Sequence, residues 1–119
     1  MLQVNHATRY LLYHKWADMR KSFDGLCGLV TNELNMTMKL GDVFIFLNKR
    51  QTHIKLLQWE GDGFSLYYKR LEAGTFEMPD CSAEVTHSVI AAKQLLLILQ
   101  GISLRKAHHR KRYIAPASL

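Results

Sequence analysis

The sequence predicts an α+β fold. One small domain would hold an antiparallel β-meander of three to five strands, an N-terminal helix and a buried C-terminal helix. Three observations point there. The chain has 119 residues, 48% of them hydrophobic, enough for one core and too few for two. A helical apolar stripe in the first third gives way to strand-like runs from Asp42 onward. A second apolar stretch, Leu95 to Leu99, then offers a helix to cover the sheet.

Taken in order, Arg9 to His14 is a short aromatic and aliphatic strand. Asp18 is the expected N-cap of the first helix, whose stripe is Met19, Phe23, Leu26, Cys27, Val30 and Leu34. Residues 35–41 connect it to three strands, Asp42 to Asn48, Thr52 to Trp59 and Phe64 to Leu71. Lys49-Arg50-Gln51 and Glu60-Gly61-Asp62-Gly63 are hairpin turns, the second favoured by its Asp-Gly pair. A fourth short strand is expected at Thr75 to Met78, stopped by Pro79. Ala91 to Gln100 is the second helix, with Gly101 as its stop; Val85 to Ile90 is either its approach or a last strand. Residues 1–104 form the single domain and 105–119 a basic C-terminal tail.

Composition narrows the classes. Only nine residues are Gly or Pro, too few for a low-complexity chain. Leu95 to Leu99 is far short of the ~20 apolar residues that span a bilayer, and no basic n-region precedes an apolar h-region. Cys27 and Cys81, far apart, are expected to be free thiols in a reducing cytoplasm. The net charge of +6 is uneven: residues 1–84 hold ten Lys/Arg and all ten Asp/Glu, so the excess lies in the last third. Arg105, Lys106, Arg110, Lys111 and Arg112 make most of it. Such a block attracts polyanions by counterion release, or else only keeps the protein in solution.

Register arithmetic sorts the strands into two faces. With Asp62 central in its turn, Trp59 pairs with Phe64, Leu57 with Leu66, Lys55 with Tyr68 and His53 with Arg70. With Lys49-Arg50 central in the other, Phe46 lies opposite His53 and Phe44 opposite Lys55. One face is then aliphatic (Val43, Ile45, Leu47, Ile54, Leu56). The other interleaves Phe44, Phe46 and Tyr68 with His53, Lys55 and Arg70. Aromatic planes among cations suit single-stranded nucleic acid; alternatively, the second helix or a dimer partner covers the aromatic end. Arg20 and Lys21, in the expected first helical turn, offer a phosphate site or pair with Asp18 and Asp24. Lys49 and Arg50 in the first turn, and Lys69 beside Arg70, complete the basic set.

Catalytic signatures are missing from the sequence. No Gly-rich phosphate loop and no Cys/His zinc spacing occurs, so no cofactor or metal is expected. Asp24, Asp42 and Glu60 are the one conceivable two-metal nuclease trio.

The ordered string Asp18-Met-Arg-Lys-Ser-Phe-Asp-Gly-Leu26, Gly41-Asp-Val-Phe-Ile-Phe46, Thr52-His-Ile-Lys-Leu-Leu57, Trp59-Glu60, Gly63 to Glu72 and Gly74-Thr-Phe76 resembles the TnpB accessory proteins of the insertion-sequence-66 family. The likeness runs from about Ala7 to Leu104. It departs at the second helix, where that family usually has a Ser or Thr cap and this chain has Ala91. The resemblance implies a non-enzymatic accessory protein for transposition. Its expected partners are DNA at the element ends and the element's separate transposase, with no membrane and an undetermined oligomeric state. An adaptor binding only the transposase is the alternative.

Overall fold

The computed structural model describes residues 8–79, 85–101 and 112–115. Its elements are β1 (Tyr10–Tyr13), α1 (Phe23–Gly28) running into a π-helical turn (Leu29–Glu33), β2 (Val43–Leu47), β3 (His53–Trp59), β4 (Phe64–Arg70), β5 (His87–Ile90) and α2 (Ala92–Gln100). The class is α+β, as expected. The sheet is not a plain meander: its order is β4-β3-β2-β1-β5, and β1 runs parallel to β2 while every other pair is antiparallel. Parallel neighbours need a long crossover, and the α1 segment supplies it. Of Val85 to Ile90, His87–Ile90 resolves as the edge strand β5, paired to β1 from Tyr10↔Ile90 to Tyr13↔His87.

Tyr-Leu-Leu-Tyr of β1 and Val-Phe-Ile-Phe-Leu of β2 are buried at every position, the signature of strands covered on both faces. One core layer holds Leu12, Val43, Ile45, Leu47, Ile54, Leu56 and Phe76 beneath Leu95 and Ile98 of α2. The opposite layer holds Leu11, Tyr13, Phe44, Phe46 and Leu57 beneath Leu26, Val30 and Leu34. The first helix therefore covers the aromatic face, and α2 lies on the other side of the sheet.

Three local expectations are corrected. Asp18 does not cap a helix: its carboxylate accepts the Arg20 N–H at 2.9 Å and closes a separate turn, so helix begins only at Phe23, which is itself exposed. Thr75 to Met78 is not a strand but a docked loop, where Phe76 donates to the Gln51 carbonyl at 2.6 Å and accepts from the Gln51 side chain at 2.9 Å. The β2–β3 turn is wider than supposed. Asn48 Oδ1 accepts the N–H groups of Thr52 and His53, each at 2.9 Å, and Gln51 takes φ 58°. Phe46 thus pairs with Lys55 and Phe44 with Leu57, a two-residue slip that leaves both faces unchanged. The β3–β4 register agrees with the arithmetic pair for pair.

Ala91, at the N-cap of α2, has no side-chain acceptor to give; the Gln94 side chain instead accepts its N–H at 2.7 Å. Gly101 ends the helix at φ 80°, and a Cβ there would lie 2.8 Å from the Arg112 guanidinium carbon.

At the head of the parallel pair, Arg9 Nε donates to Asp42 at 2.8 Å, and the same carboxylate accepts the Lys39 N–H at 2.8 Å. Asp42 is only 1% exposed, so its charge depends on these donors. Asp42→Ala should cost about 2–4 kcal/mol, toward the lower end because the Arg9 side chain is partly hydrated. Urea denaturation should show a lower midpoint at an unchanged slope; an unmoved midpoint would mean the clamp is dispensable.

Candidate nucleic-acid interface

β3 begins where β4 ends, with His53 opposite Arg70, and the β2–β3 loop carrying Lys49 and Arg50 turns at that same end. Leu71 N–H bonds to Thr52 O at 2.9 Å and continues the pairing past the strand. On the α1 face of this end stands Tyr68, 51% exposed. Its ring lies 5.8 Å from His53 and 4.5 Å from the Lys55 ammonium. Lys21 is drawn in because its carbonyl accepts from Lys55. Folding thus gathers Lys21, Lys49, Arg50, His53, Lys55, Tyr68 and Arg70, from four separate segments, at one end.

Not all of the expected aromatic surface is open. Phe44 and Phe46 have no exposure, because α1 and the π-helical turn pack over them. Lys55 is a second correction, since it is 5% exposed and cannot reach a phosphate. Its ammonium donates to the Met19 carbonyl at 2.8 Å and the Lys21 carbonyl at 2.7 Å, tying β3 to the turn that precedes α1. Arg20 and Lys21 are exposed but precede the helix, so they do not sit in its first turn. Lys69, alternating with Tyr68 and Arg70, belongs to the opposite face.

Two of these cations are already partnered on the surface. Arg20 makes a two-pronged contact with Asp18, closest at 2.7 Å, and Arg70 bonds Glu72 at 2.9 Å. The Arg20 side chain, followed by its backbone N–H, lowers the Asp18 carboxyl from 3.8 to about 2. Burial, followed by the Asp24 charge, raises the Cys27 thiol, which keeps it protonated and unreactive at neutral pH.

Arg112 is not a loose tail cation. It donates to Thr75 O at 2.9 Å and Ile98 O at 3.3 Å, with its guanidinium 5.3 Å from the Phe76 ring. Arg105, Lys106, Arg110 and Lys111 lie outside the described residues. The acids of the imagined nuclease trio do not assemble: Asp42 is held by Arg9, and among the described residues no group of three His, Cys, Asp or Glu could hold a metal ion. No helix of the described residues is long and apolar enough to cross a membrane. Sequence reading missed the Arg9–Asp42 clamp and the Lys55 cap. A charge inside a strand flanked by apolar residues was the available signal for the second.

A family model described as IS66 Orf2-like protein matches residues 8–109. Two similar chains come from Sinorhizobium fredii (strain NBRC 101917 / NGR234). Uncharacterized protein y4hO is 34% identical over 105 residues, covering 88% of this chain and 90% of its own. Uncharacterized protein y4jC is 28% identical over 102 residues, covering 86% of each. No solved structure matches significantly.

Two outcomes follow from the geometry. Lys55→Met should lower stability by about 1–3 kcal/mol, since two carbonyls lose their donor, whereas Tyr68→Ala should barely shift the melting temperature. Equal losses for the two variants would place Tyr68 in the core. For Asp18, a folded pKa below the unfolded value means that any stabilisation is complete above about pH 4 and fades as pH falls through about 2. An NMR titration of the Asp18 carboxyl should show a midpoint near 2, returning toward 3.8 in Arg20→Ala; an unmoved midpoint would remove Arg20 as the cause.

Proposed function

The chain belongs to the IS66 Orf2-like family, whose members are insertion-sequence accessory proteins, and we propose that it serves transposition without catalysis by binding DNA. The DNA in question is that of the element ends, which the protein presents to the separate transposase. The observation that carries this reading is the exposed Tyr68 ring, backed by Lys55 and His53, with Lys21, Lys49, Arg50 and Arg70 around it. Cations neutralise phosphates while the ring stacks a base, a combination suited to a single or partly opened strand. Arg105, Lys106, Arg110 and Lys111 of the tail add sequence-independent attraction.

The position of Lys55 sharpens the roles. Its charge behind the ring is fixed by two carbonyls, so it orients Tyr68 rather than meeting the ligand. Lys49 and Arg50, both exposed in the β2–β3 loop, are free to follow a backbone. His53 accepts or donates through Nδ1 to Thr52 Oγ1 at 2.8 Å, which holds its ring against Tyr68.

Salt-titrated anisotropy with labelled single- and double-stranded element-end DNA tests the reading. Affinity should fall steeply with salt, and replacing Lys49 and Arg50 together by Ala should flatten the slope by about one to two units. Tyr68→Ala should cost about 1–3 kcal/mol with single strands and less with duplex. Absence of binding at low salt, with transposase still captured, would replace DNA binding by the adaptor reading.

A further inference from the structure

On the face of the sheet away from Tyr68, the end of β4 and the end of α2 enclose an open cleft of about 510 Å³. We infer that this cleft is a second binding site, for a single nucleoside phosphate. It meets the proposed DNA surface at Arg70, which lines both, but Tyr68 lies outside it and Tyr113 within it, so these two side chains test the sites separately. Leu71 and Leu99 give it an aliphatic floor, Tyr113 an aromatic wall, Gln100 an amide, and Lys69 and Arg112 two cations.

Each part has a matching piece of ligand. A base is flat and apolar on its faces and polar at its edge, which suits an aliphatic floor, a tyrosine ring and a neighbouring amide. A phosphate needs cations. The Lys69 ammonium has no ion-pair or hydrogen-bond partner among the described residues, while Arg112 is fixed against Thr75 O, Ile98 O and the Phe76 ring. The carbonyl end of a helix ordinarily repels anions. Here Arg112 bonds the carbonyl of Ile98 in the last turn of α2 and turns that end cationic. Gly101 holds φ 80° beside it, and a Cβ there would lie 2.8 Å from the guanidinium carbon, so Arg112 would have to shift to admit one. Glu72, also at the rim, is engaged by Arg70 at 2.9 Å and so opposes an anion less. The volume falls in the range of ordinary small-ligand sites, about 300–1,000 Å³. An acidic peptide would use the cations but leave the ring and the amide without a role.

The ligand is either a free nucleotide or one residue of a DNA strand, and the test separates them. Amide chemical shifts of the full chain are followed while a deoxynucleoside monophosphate, a short single-stranded oligonucleotide, inorganic phosphate or an acidic peptide is added. The proposal expects Leu71, Leu99 and Gln100 to shift with the mononucleotide, the oligonucleotide or both. The response should weaken on the order of tenfold in Tyr113→Ala and in Lys69→Ala, at unchanged melting temperature, and persist in Tyr68→Ala. A response to the oligonucleotide alone assigns a strand residue; one to the mononucleotide assigns a free nucleotide. Shifts equal for inorganic phosphate and nucleotide, indifference to Tyr113→Ala, stronger binding of the acidic peptide, or no shift at all would each overturn it. Oligonucleotide binding lost in Tyr68→Ala while mononucleotide shifts remain would leave both sites standing as separate. Absence of the cleft shifts in the unmutated protein, with the Tyr68-dependent binding present, would reject this inference and spare the DNA surface.

Discussion

Everything in this molecule depends on β1 lying between β2 and β5. A strand in that position is covered above and below, and every one of its side chains is buried. Its parallel partner β2 meets the same condition, so each face of the sheet needs its own helix. The Arg9–Asp42 pair sits where both strands begin, and the Val43 N–H bonds to the Arg9 carbonyl at 2.9 Å. A buried carboxylate without such donors would be costly, so the pair also disfavours other alignments of the two strands.

Covering the aromatic face with α1 then decides which residues are left for recognition. The π-helical turn keeps Leu26, Val30 and Leu34 all directed at the sheet, and each is buried. A Leu34 N–H bond to Leu29 O at 3.0 Å widens the last turn. That packing reaches Phe64 and Leu66 of β4 but stops short of Tyr68, which remains exposed. Lys55 marks the border. Its stem packs within the sheet and its ammonium caps the carbonyls at the entry to α1, so the same residue closes the core and lies behind the open ring.

Charge separation follows from topology. Chain segments that carry cations at the β2–β3 loop, the end of β4 and the turn before α1 are far apart in sequence, yet they meet at one end of the sheet. The Gln51–Phe76 bonds pull residues 75–76 under the same loop, and Arg112 in turn docks on them. The proposed DNA binding would gain from this concentration, because closely spaced cations release more counterions on one strand. The two faces of β4 then present different chemistry, a stacked ring on one and a cationic cleft on the other.

By itself, the sequence determined the α+β class, the three antiparallel strands β2, β3 and β4, the β3–β4 register and the partition of side chains between faces. All of these are local: the turn from Glu60 to Gly63 sets its hairpin, with Gly61 at φ 89° taking the positive φ expected of the Asp62-Gly63 pair, and a period of two assigns faces even when a neighbouring turn slips by two residues. Only the tertiary structure decided where β1 inserts, which helix covers the aromatic face, that Lys55 is a buried cap and that Arg112 is docked. Each of those is a contact between segments distant along the chain. It is selected by what remains unsatisfied after local structure forms, whether an apolar face without cover, a carboxylate without a donor or two carbonyls without a hydrogen. Spacing along a sequence records the first kind of choice and is silent about the second, because burial is a property of the assembled layers.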